Sequence, residues 1–158
     1  MTTTVPVLSS LTAIGSTLAG FTESWNRHDT QAMAALFTPD ADFVNVLGMH
    51  FKGVNEIEAV HDELHRTRFR HTRVQQLRHE IQFLSDEIAI AHVLWEMTGD
   101  KMMARANEDG ARRGVITHVL VRTSKGPARE VWRFRATQNT DVLRMPELEN
   151  DPFWKKYF

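Results

Sequence analysis

The segment His61-Asp62-Glu63-Leu64-His65 places two imidazoles four residues apart. That spacing puts them on one helical face, where a histidine pair can share a metal ion. It also approaches the zinc-protease pattern, with Asp62 where that chemistry needs a glutamate as general base. Asp is one methylene short, and no third ligand follows at a recognisable spacing. The segment therefore reads as a helix face with His61 packed beside Ile57 and Leu64 and His65 at the rim. No metal is expected.

His50, His79 and His118 fall on candidate strands. Alternation puts His79 on a face with Leu77 and Ile81, and His118 with Leu120. A histidine among apolar neighbours serves as a hydrogen-bonded core residue, or as a general base if it reaches a bound ligand. The pattern singles out none of them as catalytic.

Large flat side chains give a clearer signal. Trp95 is in phase with Ala91 and Val93, Trp132 with Phe134 and Ala136, and Phe21 and Trp25 share the apolar face of one helix. Such residues either wall a site for a flat hydrophobic ligand or fill the interior themselves. Arg133 and Arg135 alternate with Trp132 and Phe134 and should project from the opposite face. There, with Arg122, they are solvated, paired across a subunit interface, or available to an anion.

These residues need elements to position them. Ser9-Ser10 offers an N-cap, and Leu11, Ile14, Leu18, Phe21 and Trp25 recur at helical spacing up to about Asn26-Arg27-His28. Asp29 can cap a short second helix with Met33, Leu36 and Phe37, stopped by Pro39. Residues 41–47 read as a strand, Gly48 breaks it, and His50–Gly53 can return beside it. A third helix runs from about Asn55 to Arg68, with Ile57, Val60, His61 and Leu64 on one side. Residues 73–84 alternate, and residues 88–97 are apolar on both faces, as a covered central strand is. A polar loop from Gly99 to Gly114 precedes strands over 115–123 and 130–138, joined at Lys125-Gly126-Pro127. Helices grouped ahead of an antiparallel meander imply an α+β fold.

Composition narrows the classes. At 158 residues, with 42% hydrophobic and 25% charged residues, the chain has the makings of one folded domain. The absence of cysteine excludes disulfides and thiolate chemistry, and the net charge of −1 argues against nucleic acid or an anionic membrane surface. The opening Met1–Pro6 lacks the basic residues of a signal peptide, and no apolar run approaches ~20 residues, so a cytoplasmic location is expected. Core packing is expected over about 8–142. The remainder, 143–158, is a tail with four aromatics in its last six residues, expected to dock on its own body or on a partner subunit.

The element order, together with Trp25-Asn26-Arg27-His28-Asp29, Leu36–Phe43, Gly48, Gly53–Ile57 and Trp132–Thr140, resembles the nuclear transport factor 2-like superfamily. Its members include ketosteroid isomerases, SnoaL-type polyketide cyclases and SgcJ/EcaC-type proteins, the last being the nearest likeness. The resemblance implies a cone: a curved antiparallel sheet covered by three N-terminal helices, with convex-face homodimerisation. An apolar hollow inside such a cone is the usual small-molecule site.

An isomerase site of that family needs a basic carboxylate, a tyrosine hydroxyl and a protonated aspartic acid. Laid against the isomerase pattern, those places fall on Asn45, Phe21 and Thr117, so all three roles are vacant. Asn45 and Thr117 can instead orient a ligand, or satisfy neighbours and a trapped water. The expected ligand-binding set is Phe21, Trp25, Asn45, Trp95, Thr117 and Trp132, with no cofactor and a small hydrophobic molecule as partner. The rival functions are a cyclase, isomerase or dehydratase working through a pocket histidine, and a dimeric interaction module whose cone is solid.

Overall fold

A computed structural model describes residues 8–101, 110–124 and 130–157. Helix α1 (Leu8–Arg27) buries Ile14, Leu18 and Trp25, the face its spacing predicts. Each such side chain contributes roughly 1.5–3 kcal/mol on burial. The helix ends at a left-handed residue that is not glycine, His28, with φ 55°. The His28 amide donates to the Trp25 carbonyl and the Asp29 amide to that of Ser24, both at 2.9 Å. These are the paired bonds of a Schellman cap. Asp29 then caps α2 (Thr30–Ala34), its carboxylate accepting the Ala32 amide at 2.9 Å.

Pro39 does not stop α2, which has already ended at Ala34; it lies inside β1 (Phe37–Val44). Pairing with the neighbouring strand is irregular between Phe37 and Asp42, and there a residue without an N–H can sit in a strand. β2 (His50–Lys52) returns antiparallel after Gly48, and α3 (Val54–Arg66) follows Gly53.

The long strands are β3 (Arg73–Phe83), β4 (Ile88–Thr98), β5 (Arg112–Ser124) and β6 (Val131–Asp141). The sheet order is β2-β1-β6-β5-β4-β3. The sheet is mixed rather than wholly antiparallel, because β1 joins β6 in parallel register. That pairing spans everything from β2 to β5, so no tight turn constrains its direction. Register shifts at Gln76/Arg78, Val119/Leu120 and Arg122/Ser124 bend the sheet around α1 and α3. The shift in β3 also turns Leu77 out of phase with Ile81, so these two do not share a face as strict alternation suggests.

The narrow end of the cone is solid. Trp132, Phe134, Leu120, Ala89 and Ile14 are almost wholly buried there, and the Thr17 hydroxyl ties α1 to the Trp132 carbonyl at 2.8 Å. Beyond β6 come α4 (Pro146–Glu149) and a 3-10 turn (Lys155–Tyr157). In the tail, Phe153 is 59% and Trp154 45% exposed. Among the described residues no helix is long and apolar enough to cross a membrane. The Lys125-Gly126-Pro127 turn and residues 102–109 of the Gly99–Gly114 loop lie outside the described residues, and the end of that loop is strand, since β5 begins at Arg112.

Candidate functional site

Toward its wide end the cone is hollow. A cavity of about 110 Å³ opens beside the β1–β2 hairpin, where Leu47 and Met49 form part of the rim. An ordered water needs roughly 10–15 Å³ of such space, so several waters or one small flat molecule can be held. The wall is aromatic: Phe21, Trp25, Phe43, Phe69 and Trp95 all line it. Phe21 and Trp25 stand with centroids 6.3 Å apart, and Trp25 and Phe69 5.1 Å apart.

Strand register places the polar groups by depth. His118 pairs with Thr137 and Ala91, Ile116 with Asn139 and Val93, Gly114 with Asp141 and Trp95, and Arg112 with Met97. On the inner face of β5 the order from deep to shallow is therefore His118, Ile116, Gly114, Arg112. Gly114 is required where it stands: an added Cβ would meet the Trp95 indole and lie 2.6 Å from the Thr140 carbonyl. The Trp95 indole N–H donates to Asn139 Oδ1 at 2.9 Å. That bond leaves the Asn139 amide hydrogens without a partner among the described residues.

Two imidazoles face this space with one nitrogen each left over. His61, on α3, holds the Ile57 carbonyl through Nδ1 at 2.7 Å. A carbonyl only accepts, so Nδ1 carries the proton and Nε2 presents a bare lone pair. His118 shares a bond between Nδ1 and the Thr137 hydroxyl at 2.8 Å. Its Nε2 and that of His61 have no partner among the described residues. Burial lowers both: the His118 pKa falls to about 3, and that of His61 is also depressed, desolvation outweighing the Ile57 bond. Both rings are neutral at physiological pH, and His61 can accept a hydrogen bond from a ligand through Nε2.

His65 is buried rather than at the rim. Its Nδ1 meets that of His28 at 2.8 Å, and its ring packs on Trp25 with centroids 4.5 Å apart. Desolvation first, then the His28 charge, lowers its pKa to about 4. His61 and His65 thus turn to different partners. No group of three or more His, Cys, Asp or Glu side chains is placed to hold a metal among the described residues.

The shallow end is an ion-pair cluster. Arg68 grips Asp100 through Nε at 3.1 Å and Nη2 at 2.7 Å. Arg112 reaches Asp100 through Nη1 at 3.1 Å and clasps Asp141 through Nε at 2.8 Å and Nη2 at 3.1 Å. Both arginines line the cavity.

The chain belongs to the SnoaL-like domain family. The family model matches residues 18–138, most of the chain. No curated protein matches it in sequence. Among solved structures, an uncharacterised protein with a cystatin-like fold from Caulobacter vibrioides is 25% identical, with TM-score 0.73, covering 92% of this chain and 97% of that one. A domain of unknown function with a cystatin-like fold from Nostoc punctiforme is 23% identical, with TM-score 0.71 and coverage of 89% and 82%. A nuclear-transport-factor-2-like protein of unknown function from Shewanella oneidensis is 18% identical, with TM-score 0.64 and coverage of 84% and 99%.

In this SnoaL-like domain, Phe21, Trp25, Asn45 and Trp95 line the cavity, but Thr117 and Trp132 do not. Thr117 lies on the convex face, its hydroxyl bonded to His92 Nδ1 at 2.9 Å. Its neighbour His118 takes the inward place, since successive strand residues alternate. Trp132 is inward but too deep: its indole donates to Glu130 at 2.8 Å in the solid end. Asn45 accepts the Leu47 and Met49 amides at 2.9 and 3.0 Å, which shapes the rim hairpin. His50 pairs with Asp42 at 2.9 Å and His79 lies against Gln76, both at the surface. Arg135 bridges to Asp40 and Asp42, Arg133 donates to Thr123, and Arg122 is drawn in toward Glu130. Arg68, Arg112, Asn139 and the unpartnered histidine nitrogens are the site residues that sequence pattern did not supply.

Proposed function

We propose that this SnoaL-like domain is a cytoplasmic small-molecule-binding protein of the SgcJ/EcaC type, whose cavity takes a flat, mainly apolar ligand carrying one hydroxyl. The observation that carries the reading is the pairing of an aromatic wall with the bare Nε2 of His61. An apolar pocket with a few placed polar groups binds such molecules and fixes their orientation. A hydrogen bond accepted from a ligand hydroxyl contributes ~0.5–1.5 kcal/mol.

Binding is favoured over acid–base catalysis because the depressed pKa values make both imidazoles weak proton acceptors, and efficient general bases titrate near the working pH. The enzymatic alternative, a cyclase, isomerase or dehydratase acting through a pocket histidine, is supported by the His61 tautomer alone. The half-buried apolar residues Ile90, Leu94, Val115 and Val119 on the convex face support a homodimer. Light scattering on wild type and Leu94→Arg tests it, with the variant expected as a monomer.

The test of the pocket is calorimetric titration with 2-naphthol, an aromatic bicycle with one hydroxyl. Saturable one-to-one binding, accompanied by quenching of tryptophan fluorescence, is expected. Absence of binding up to the solubility of 2-naphthol would remove the small-molecule reading.

A further inference from the structure

The rim of the cavity offers an anion a seat that the apolar wall alone does not explain. Arg68 spends Nε and Nη2 on Asp100, and its Nη1 hydrogens make no bond among the described residues. The guanidinium is held on a carboxylate of which only 1% is exposed, so its direction is fixed. Asn139 is likewise locked by Trp95 with its amide hydrogens left over, and Arg112 is pinned at three nitrogens. The leftover hydrogens of Arg68 and Asn139 are both donors, whereas the spare nitrogen of His61 is an acceptor.

Charge points the same way. Arg70 and Lys101 line, with Asp100, a neighbouring hollow that shares Arg68 with the cavity. Among the described residues that hollow has three cations to one carboxylate. Arg70 and Lys101 have no ion-pair partner among the described residues. A planar guanidinium with free, fixed N–H groups is the side chain best matched to a carboxylate.

We infer that the ligand is an aromatic carboxylic acid, its carboxylate seated on Arg68 at the rim and its ring between Trp25 and Trp95, with a hydroxyl directed to His61. This deepens the small-molecule reading and rests on it. Arg68 is then the residue that selects acids over neutral molecules of the same shape.

Calorimetry with 6-hydroxy-2-naphthoate and 2-naphthol, on wild type and on Arg68→Gln, decides the point. Wild type is expected to bind the acid at least about tenfold more tightly than the naphthol, the effect of one charge-assisted hydrogen bond. In Arg68→Gln the preference should shrink to within about twofold, with an unchanged circular dichroism spectrum showing that the variant is folded. A wild-type preference that falls as salt rises from 20 to 500 mM checks the charge without any substitution. Equal binding of the two ligands by wild type, or a preference surviving in Arg68→Gln, overturns the inference and leaves the pocket standing. Failure of both ligands to bind wild type overturns the pocket reading as well.

Discussion

The imidazole of His118 lies nearly flat on the ring of Phe134, with centroids 4.0 Å apart and planes 22° from parallel. Together with the Thr137 bond, that stack holds a titratable ring in an apolar layer where it is neutral. The pH dependence of stability follows. His61, His65 and His118 all have folded pKa values below the ordinary 6.5, those of His65 and His118 at about 4 and 3. The unfolded chain therefore binds protons that the folded chain refuses. Stability is complete above about pH 6.5 and is lost as pH falls toward the folded values. Each histidine contributes a slope of about 1.4 kcal/mol per pH unit in that window. Urea unfolding at pH 7.5, 6, 5 and 4 should show stability falling at every step. His118→Leu should reduce the slope by one proton, even though it loses the Thr137 bond and is less stable at pH 7.5. An unchanged slope in the variant would show that His118 titrates normally.

Gly114 is a second point where the wall is set by the backbone. Because an added methyl would run into the Trp95 indole, Gly114→Ala must tilt Trp95 or spread β5 from β4. Overpacking of this kind costs ~1–3 kcal/mol. A lower urea midpoint and weaker 2-naphthol binding are expected together, since the same indole walls the cavity. Intact binding with the usual stability would mean that the indole has room to move.

What could be read from the sequence follows the strength of each local signal. The α1 face was legible because Ile14, Leu18 and Trp25 repeat at helical spacing, and the α2 start because Asp29 is an evident cap. The parallel β1–β6 pairing was not, since nothing local records which strand a segment meets. In the site, Trp95 was legible from its phase with Ala91 and Val93. Thr117 was misplaced because it came from the isomerase pattern, while alternation with Leu120 already put His118 on the inner face. A one-residue slip reverses every side chain on a strand. Arg112 was hidden by a strand taken to begin at residue 115, whereas β5 begins at Arg112 itself. The tautomer of His61 depends on the Ile57 carbonyl in the folded helix, and residue type alone cannot supply it.

Asp100 carries the rim cluster. Its carboxylate joins Arg68 to Arg112, and its side chain is almost fully buried. Asp100→Asn takes the anion from Arg68 and one of two from Arg112, and breaking a buried ion network from one side costs ~3–5 kcal/mol. A fall of that size in urea unfolding at pH 7.5 is expected, larger than for Arg68→Gln, which leaves Asp100 its bond to Arg112. A loss under about 1 kcal/mol, the range of exposed pairs, would place the cluster in water.

Thr117 supplies the opposite expectation. Its hydroxyl bonds His92 on the convex face, with the sheet between it and the cavity. Thr117→Val should leave 2-naphthol affinity within about twofold, under 0.5 kcal/mol, and cost at most about 1 kcal/mol of stability from the lost bond. A larger fall in affinity would put residue 117 back in the pocket.

The tautomer of His61 makes the sharpest prediction about recognition. With Nδ1–H fixed on the Ile57 carbonyl, Nε2 accepts hydrogen bonds and donates none. A ligand hydroxyl should therefore matter more than a ligand ether oxygen at the same place. Wild type is expected to bind 2-naphthol about tenfold more tightly than 2-methoxynaphthalene, which has the same rings but no proton to give. His61→Leu removes the acceptor while keeping the wall apolar, so the two affinities should converge. Because the ring is already neutral, the preference in wild type should hold from pH 8 down to pH 6, where an ordinary histidine would be charging. If 2-naphthol loses its advantage across that range, the imidazole is protonated and cannot be the acceptor.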